Sequence, residues 1–283
     1  MQYITGEKLQ EFADISIALN VKHNYDSDLV KIQLKNIKTK CFVFSETSSV
    51  TNLSEEIATA KTIFVYSSIL KYFFENIFKK INLPFTLISH NGDDGVDEYY
   101  LQYLDNPKLK KWFCQNRYIK HEKLFSLPIG LGNIQWEHGN TSLLESICQI
   151  SHNKTNLIYK NFNIGTNTLK RAYCNDVTNS NGILMHPSCN IQENWNNIAK
   201  SYFCICPPGN GVDTHRIWEC LYLNTIPVVE YHECFSQFAD LPILFVNDFS
   251  VVTPAFLESQ KQNFIKKNIE KLNLQYWKNL IKN

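Results

Sequence analysis

YFCICPPGNGVDTHRIWECLYLNTIPVVE, residues 202–230, is the stretch that decides the fold. An apolar run, YFCIC at 202–206, leads into a Pro-Pro-Gly-Asn-Gly turn. THRIWECLYLN at 214–224 then has helical character, and a second apolar run, IPVVEY at 226–231, closes the unit. Short apolar runs bounded by turn residues fit strands buried on both faces, and strand, helix, strand in succession indicates a parallel α/β sheet. Ligands of such sheets bind outside the carboxyl ends of the strands, where this glycine turn falls. Gly209 and Gly211 can take positive φ or let a backbone come close, Asn210 lies between them, and Asp213 or Thr214 is a plausible N-cap.

His215 and Arg216 follow at once, placing basic groups in the first helical turn, where the dipole favours acids. Two readings account for this. A bound diphosphate would reverse the sign of the cost, with Arg216 forking its oxygens and Glu219, on the same helical face, accepting from ribose hydroxyls. Alternatively, Arg216 and Glu219 form a surface i,i+3 ion pair and His215 is solvated.

The same rhythm extends outward in both directions. Upstream, CFVFSET at 41–47, TIFVYSS at 62–68, FTLISHN at 85–91 and LFSLPIGLG at 124–132 read as strands, and SILKYFFENIFKKI at 68–81 reads as a helix burying Leu70, Phe73, Phe74, Ile77 and Ile81. In the second half NLIYKNF at 156–162, GILMHPS at 182–188 and ILFVND at 243–248 add strands, and IQENWNNIAKS at 191–201 adds a helix. A terminal segment carries Ile265, Ile269, Leu272, Tyr276 and Leu280 along one helical face. The polar passage at 138–156, part of it (142–150) with helical character, is the linker candidate. The expected organisation is an N-terminal Rossmann-like domain at 1–150, a C-terminal Rossmann-like domain at 151–255 and a helical segment at 256–283.

The 283 residues suffice for two such cores, and 28 basic against 27 acidic residues give no overall field for nucleic acid or a membrane surface. Nine cysteines, odd in number and never spaced C-x-x-C, read as buried thiols rather than disulfides or zinc ligands. The start MQYITGEKLQEF lacks the features of a signal peptide, and no run is long enough for a membrane span, so a soluble cytoplasmic chain is expected.

Residues 201–230 resemble the nucleotide-sugar-binding segment of exostosin-type glycosyltransferases: strand, P-x-G-N-G, D-x-H-R, a short W-E helix, then I-P-V. They are distantly similar to the α1,3-fucosyltransferase segment, where Glu-Lys occupies the positions of His215 and Arg216. NLIYKNFNIGTNTLKR at 156–171, SHNGDDGVD and SLPIGLGNIQW are fainter echoes. The resemblance implies a GT-B fold, two Rossmann-like domains with parallel sheets facing across a cleft and a C-terminal helix crossing back. It further implies an inverting, metal-independent transferase that moves a sugar from a nucleotide diphosphate sugar, UDP before GDP, to a glycan or other hydroxyl acceptor.

On that reading the donor is held by Arg171, Gly209, Asn210, Gly211, Thr214, His215, Arg216 and Glu219, and no metal or other cofactor is expected. Transfer also needs a base on the acceptor. The acidic cluster HNGDDGVD at 90–97, at a strand's carboxyl end, offers Asp93 and Asp94, with His90 or Glu122 as substitutes. The same cluster reads equally as an ordinary Asn-Gly, Asp-Gly turn. Asp26-Ser27-Asp28 matches a metal-binding D-x-D but precedes any convincing strand, so a cap or loop is the favoured reading. Two other classes stay open: a Rossmann dinucleotide-binding oxidoreductase, with Glu230 as the ribose acid, and a catalytically idle binding module.

Overall fold

The computed structural model describes residues 2–20, 38–45, 53–264 and 268–283. Asp26-Ser27-Asp28 and Ile265 lie outside them. Among the described residues ten strands form two wholly parallel sheets. The first comprises β1 Ile15–Asn20, β2 Lys40–Ser45, β3 Thr62–Tyr66, β4 Phe85–His90, β5 Leu109–Cys114 and β6 Leu124–Ser126, in the order β2-β1-β3-β4-β5-β6. The second comprises β7 Asn156–Tyr159, β8 Ser201–Ile205, β9 Ile226–Glu230 and β10 Leu244–Val246, in the order β10-β9-β8-β7. Because β7 and β8 are neighbours, the loops leaving their carboxyl ends are neighbours too, and the region from 160 to 171 meets the glycine turn.

The apolar runs become strands where a partner edge exists for them. GILMHPS has none. Gly182, with φ of 81°, ends the helix Thr168–Ser180, and the chain beyond it hooks around Lys160 instead of pairing as a strand. Lys160 is buried, and its Nζ donates to Thr178 Oγ1, Asn179 Oδ1 and the Ile183 carbonyl, each at 2.8 Å. Burial lowers its pKa, and neutral oxygens solvate it in place of water. β1 and β5 are additions to the strands expected. β5, LKKWFC, opens on a buried Leu109, but the exposed Lys110 and half-buried Lys111 that follow interrupt the apolar pattern before Trp112, Phe113 and Cys114.

The helical segment after β3 is a composite of 3-10, α and π turns from Ser67 to Lys80 rather than one regular helix. All five residues expected to face inward do so, and the π turn Phe73–Ile77 brings Phe73 and Phe74 together into the core. Phe74 then packs on Trp112 and Tyr103. At the C-terminus a 3-10 turn at Glu270–Leu272 and the Asn273 cap reset the helical phase. The helix Leu274–Lys282 therefore buries Leu274, Trp277 and Ile281, leaving Tyr276 and Leu280 at the margin and Ile269 half exposed. Its first residue bonds to the N-terminus, Leu274 N to Gln2 O at 3.0 Å, while Trp277 packs on Phe238.

One apolar cluster is common to both sheets, joining Phe64, Ile88, Phe113 and Leu127 of the first half to Trp195, Trp218 and Phe238 of the second. Tyr222 marks its polar centre, accepting from Ile4 N at 3.0 Å and donating to Leu272 O at 2.9 Å. Replacing Tyr222 by Phe strands two buried backbone groups, so the urea midpoint should fall by the equivalent of about 1–3 kcal/mol. An unchanged midpoint would mean that neither group depends on the hydroxyl.

Candidate functional site

The glycine turn is held by contact rather than by unusual dihedrals. Neither Gly209 nor Gly211 has positive φ, contrary to one use foreseen for them. A Cβ on Gly211 would stand 2.5 Å from Asn116 Nδ2, and one on Gly209 would stand 3.1 Å from Arg171 Nη2. Close approach is therefore what these positions require. The turn closes on itself through Gly209 N to Gly211 O at 2.9 Å. Thr214 occupies the N-cap position of the helix His215–Tyr222, but its hydroxyl makes no capping bond and is a buried group without a partner.

Arg171 and Arg216 come together beside this turn. Arg171 donates from Nε to Pro208 O at 2.9 Å and from Nη1 to Asn163 O at 2.8 Å. Burial and the charge of Arg216 lower its pKa. Arg216 donates from Nη1 to Asn161 O at 2.7 Å and from Nε to Glu219 Oε2 at 3.0 Å. The i,i+3 pair exists, but not on the surface, since the Glu219 side chain is only 4% exposed. Glu219 thus faces Arg216 rather than an open cleft where a ribose could sit.

His215 differs from the cation that its sequence position implies. Its Nδ1 lies 2.8 Å from the Gly130 carbonyl, which can only accept, so Nδ1 carries the proton and Nε2 keeps a lone pair. Burial and the neighbouring His138 push its pKa down to about 4. At neutral pH the first turn therefore holds one positive side chain, not two. Gly130 can present that carbonyl because its φ is 69° and a Cβ there would strike Ile4 O at 2.4 Å.

Of the base candidates, Asp93 is the one brought to the turn. It is exposed, its Oδ2 accepts from Asn210 Nδ2 at 3.2 Å, and its carbonyl accepts from Asn116 Nδ2 at 3.1 Å. Asp94 is also exposed, with its pKa raised by partial burial and by Asp93. His90 is sealed in, 1% exposed, with Nε2 on Pro128 O and Nδ1 against Asn91, and burial pushes its pKa down to about 4. Glu122 precedes β6 and so lies at the amino edge of the sheet, away from the turn. Glu230 accepts from Lys170 at 3.3 Å.

Three residues that sequence reasoning left without a tertiary role organise the site. Asp213 Oδ2 accepts from Ile129 N at 2.7 Å, Oδ1 accepts from Trp218 Nε1 at 2.8 Å, and its own N–H donates to Asn116 Oδ1 at 3.0 Å. Burial pushes its pKa up to about 7 against the pull of those donors. Asn116, with φ of 54°, links Asp93 to Asp213. Arg117 crosses the same seam to Glu233 at 2.8 Å. The local signals for them were a D-x-H-R pattern and an Asn-Arg pair after β5. Comparison with protein-family models and with curated proteins finds no match for the chain.

The buried titrating groups give stability opposite pH dependences. A histidine whose folded pKa is lowered makes the unfolded chain the better proton acceptor, so His90 and His215 add stability as pH rises from about 4 to 6.5. Asp213, raised from 3.8 to about 7, subtracts stability across a similar interval. Between pH 4 and 6.5 wild type should gain on His90→Gln by about 3 kcal/mol in urea unfolding. Parallel profiles for the two proteins would contradict a neutral buried His90.

Proposed function

We propose that the chain is an inverting glycosyltransferase that uses a nucleotide diphosphate sugar, UDP-linked in the first instance and GDP-linked in the second, with a glycan or other hydroxyl as acceptor. The observation that carries this reading is the pairing of Arg171 and Arg216 at the carboxyl ends of β7 and β8, with Asp93 on the opposing loop. Two adjacent guanidiniums repel each other, and a diphosphate between them would turn that repulsion into attraction.

In the reaction the acceptor oxygen attacks the anomeric carbon as the bond to the diphosphate oxygen breaks. The acceptor proton passes to Asp93, and the leaving diphosphate carries its charge toward Arg171 and Arg216. Asp94 is the alternative base, and the His215 Nε2 lone pair is a third acceptor for the proton. The buried Thr214 hydroxyl, unpartnered at the N-terminus of its helix, is a further donor for a phosphate oxygen. Arg216 serves this role by exchanging its bond to Asn161 O for a charged oxygen.

Thermal unfolding with UDP, GDP and their sugar conjugates tests the reading. Millimolar UDP should raise the midpoint of wild type, and Arg171→Ala should lose most of that gain. Slow donor hydrolysis should fall by roughly 10²–10³-fold in Arg171→Ala and in Asp93→Asn. Stabilisation by neither nucleotide, together with no hydrolysis or transfer from any sugar conjugate, would overturn the proposal.

A further inference from the structure

Beneath the glycine turn three sulfurs meet in the core. Cys204 in β8 and Cys206 just past its end are two residues apart and share one face of the strand. The helix His215–Tyr222 covers that face and brings Cys220 against them. All three Sγ atoms lie within 4.8 Å of one another, and those of Cys206 and Cys220 are 3.9 Å apart. Each of the three residues is closed to solvent. Arg216, one helical turn before Cys220, lies near the three sulfurs.

We propose that Cys204, Cys206 and Cys220 form a thiolate site for a soft metal ion, copper(I), in three-coordinate geometry. This stands independently of the sugar-transfer reading. Thiolate sets select copper(I), zinc or iron–sulfur clusters, and structural zinc takes four ligands. Among the described residues this group supplies three. A trigonal ion with metal–sulfur bonds of roughly 2.3 Å sets its sulfurs about 4 Å apart, close to the 3.9 Å between Cys206 and Cys220. Binding forms three copper–sulfur bonds, and each thiol releases its proton to solvent with no change of oxidation state. The negative charge left on the cluster faces Arg216. Because the site is enclosed, the ion enters as the helix docks on β8 or during a local opening of that contact.

The test uses the full chain, kept reduced and free of oxygen, and titrated with copper(I) held by a weaker coloured chelator. The expected result is uptake of one equivalent, with X-ray absorption showing three sulfur neighbours at roughly 2.3 Å. Cys206→Ala and Cys220→Ala should lose affinity by about tenfold or more, while Cys234→Ala, at a buried thiol outside the cluster, should bind as wild type does. No uptake by wild type, nitrogen or oxygen neighbours in the spectrum, or equal uptake by the cluster variants would overturn the proposal. Preferential binding of zinc with a fourth, light ligand would overturn it as well. The spectrum is taken on wild type, so a variant that fails to fold does not remove the test.

Discussion

The buried carboxylate of Asp213 is the point on which both halves of the molecule bear. One oxygen takes the amide of Ile129, from the loop that leaves the first sheet, and the other takes the indole of Trp218, from the helix after β8. A carboxyl group withdrawn from water is costly unless its oxygens are satisfied, so the loop and the helix are fixed by the same requirement. With them come Gly130, whose carbonyl meets His215, and Asn116, which reaches from the Asp213 amide to Asp93. The positions of His215 and Asp93 beside the glycine turn follow from this seam.

Much of the fold was legible because its strands are uninterrupted apolar runs, and the turn chemistry around residues 207–211 punctuates them clearly. Where the reading failed, a long-range partner decided. GILMHPS has the composition of a strand, but its carbonyl at Ile183 and its amide at His186 both belong to Lys160, so no ladder forms. β5 is hidden in sequence because Lys110 and Lys111 break its apolar run after Leu109, and pairing between β4 and β6 is what makes it a strand. The C-terminal face was placed one step out of phase, since periodicity in sequence does not register a 3-10 turn that breaks the helix at Glu270–Leu272.

For the candidate site, local pattern singled out Arg216, Asp93 and the two glycines, and the family resemblance alone pointed to Arg171. It was not enough to say whom they face. Glu219 is equally suited by spacing to a ribose or to Arg216, and burial decides for Arg216. His215 looks like a cation in sequence and is neutral because His138 and Gly130, from a loop some eighty residues earlier, enclose it. Asp213 and Asn116 contribute through bonds spanning 84 and 97 residues, for which a single chain carries no local mark. The three cysteines were read rightly as buried, yet only the docking of helix on strand shows that three of the nine converge.

The contact of Gly211 with Asn116 leaves no room for a single methyl group. Around it the seam is closed by Asp213 to Ile129, His215 to Gly130 and Arg117 to Glu233. Two halves joined in this way cannot part like a hinge without breaking several part-buried bonds at once. Motion at the glycine turn is therefore left to exposed side chains such as Asp93 and Asn210. Such rotations are fast compared with domain motion, so the exposed side chains can change rotamer while the frame beneath them stays fixed.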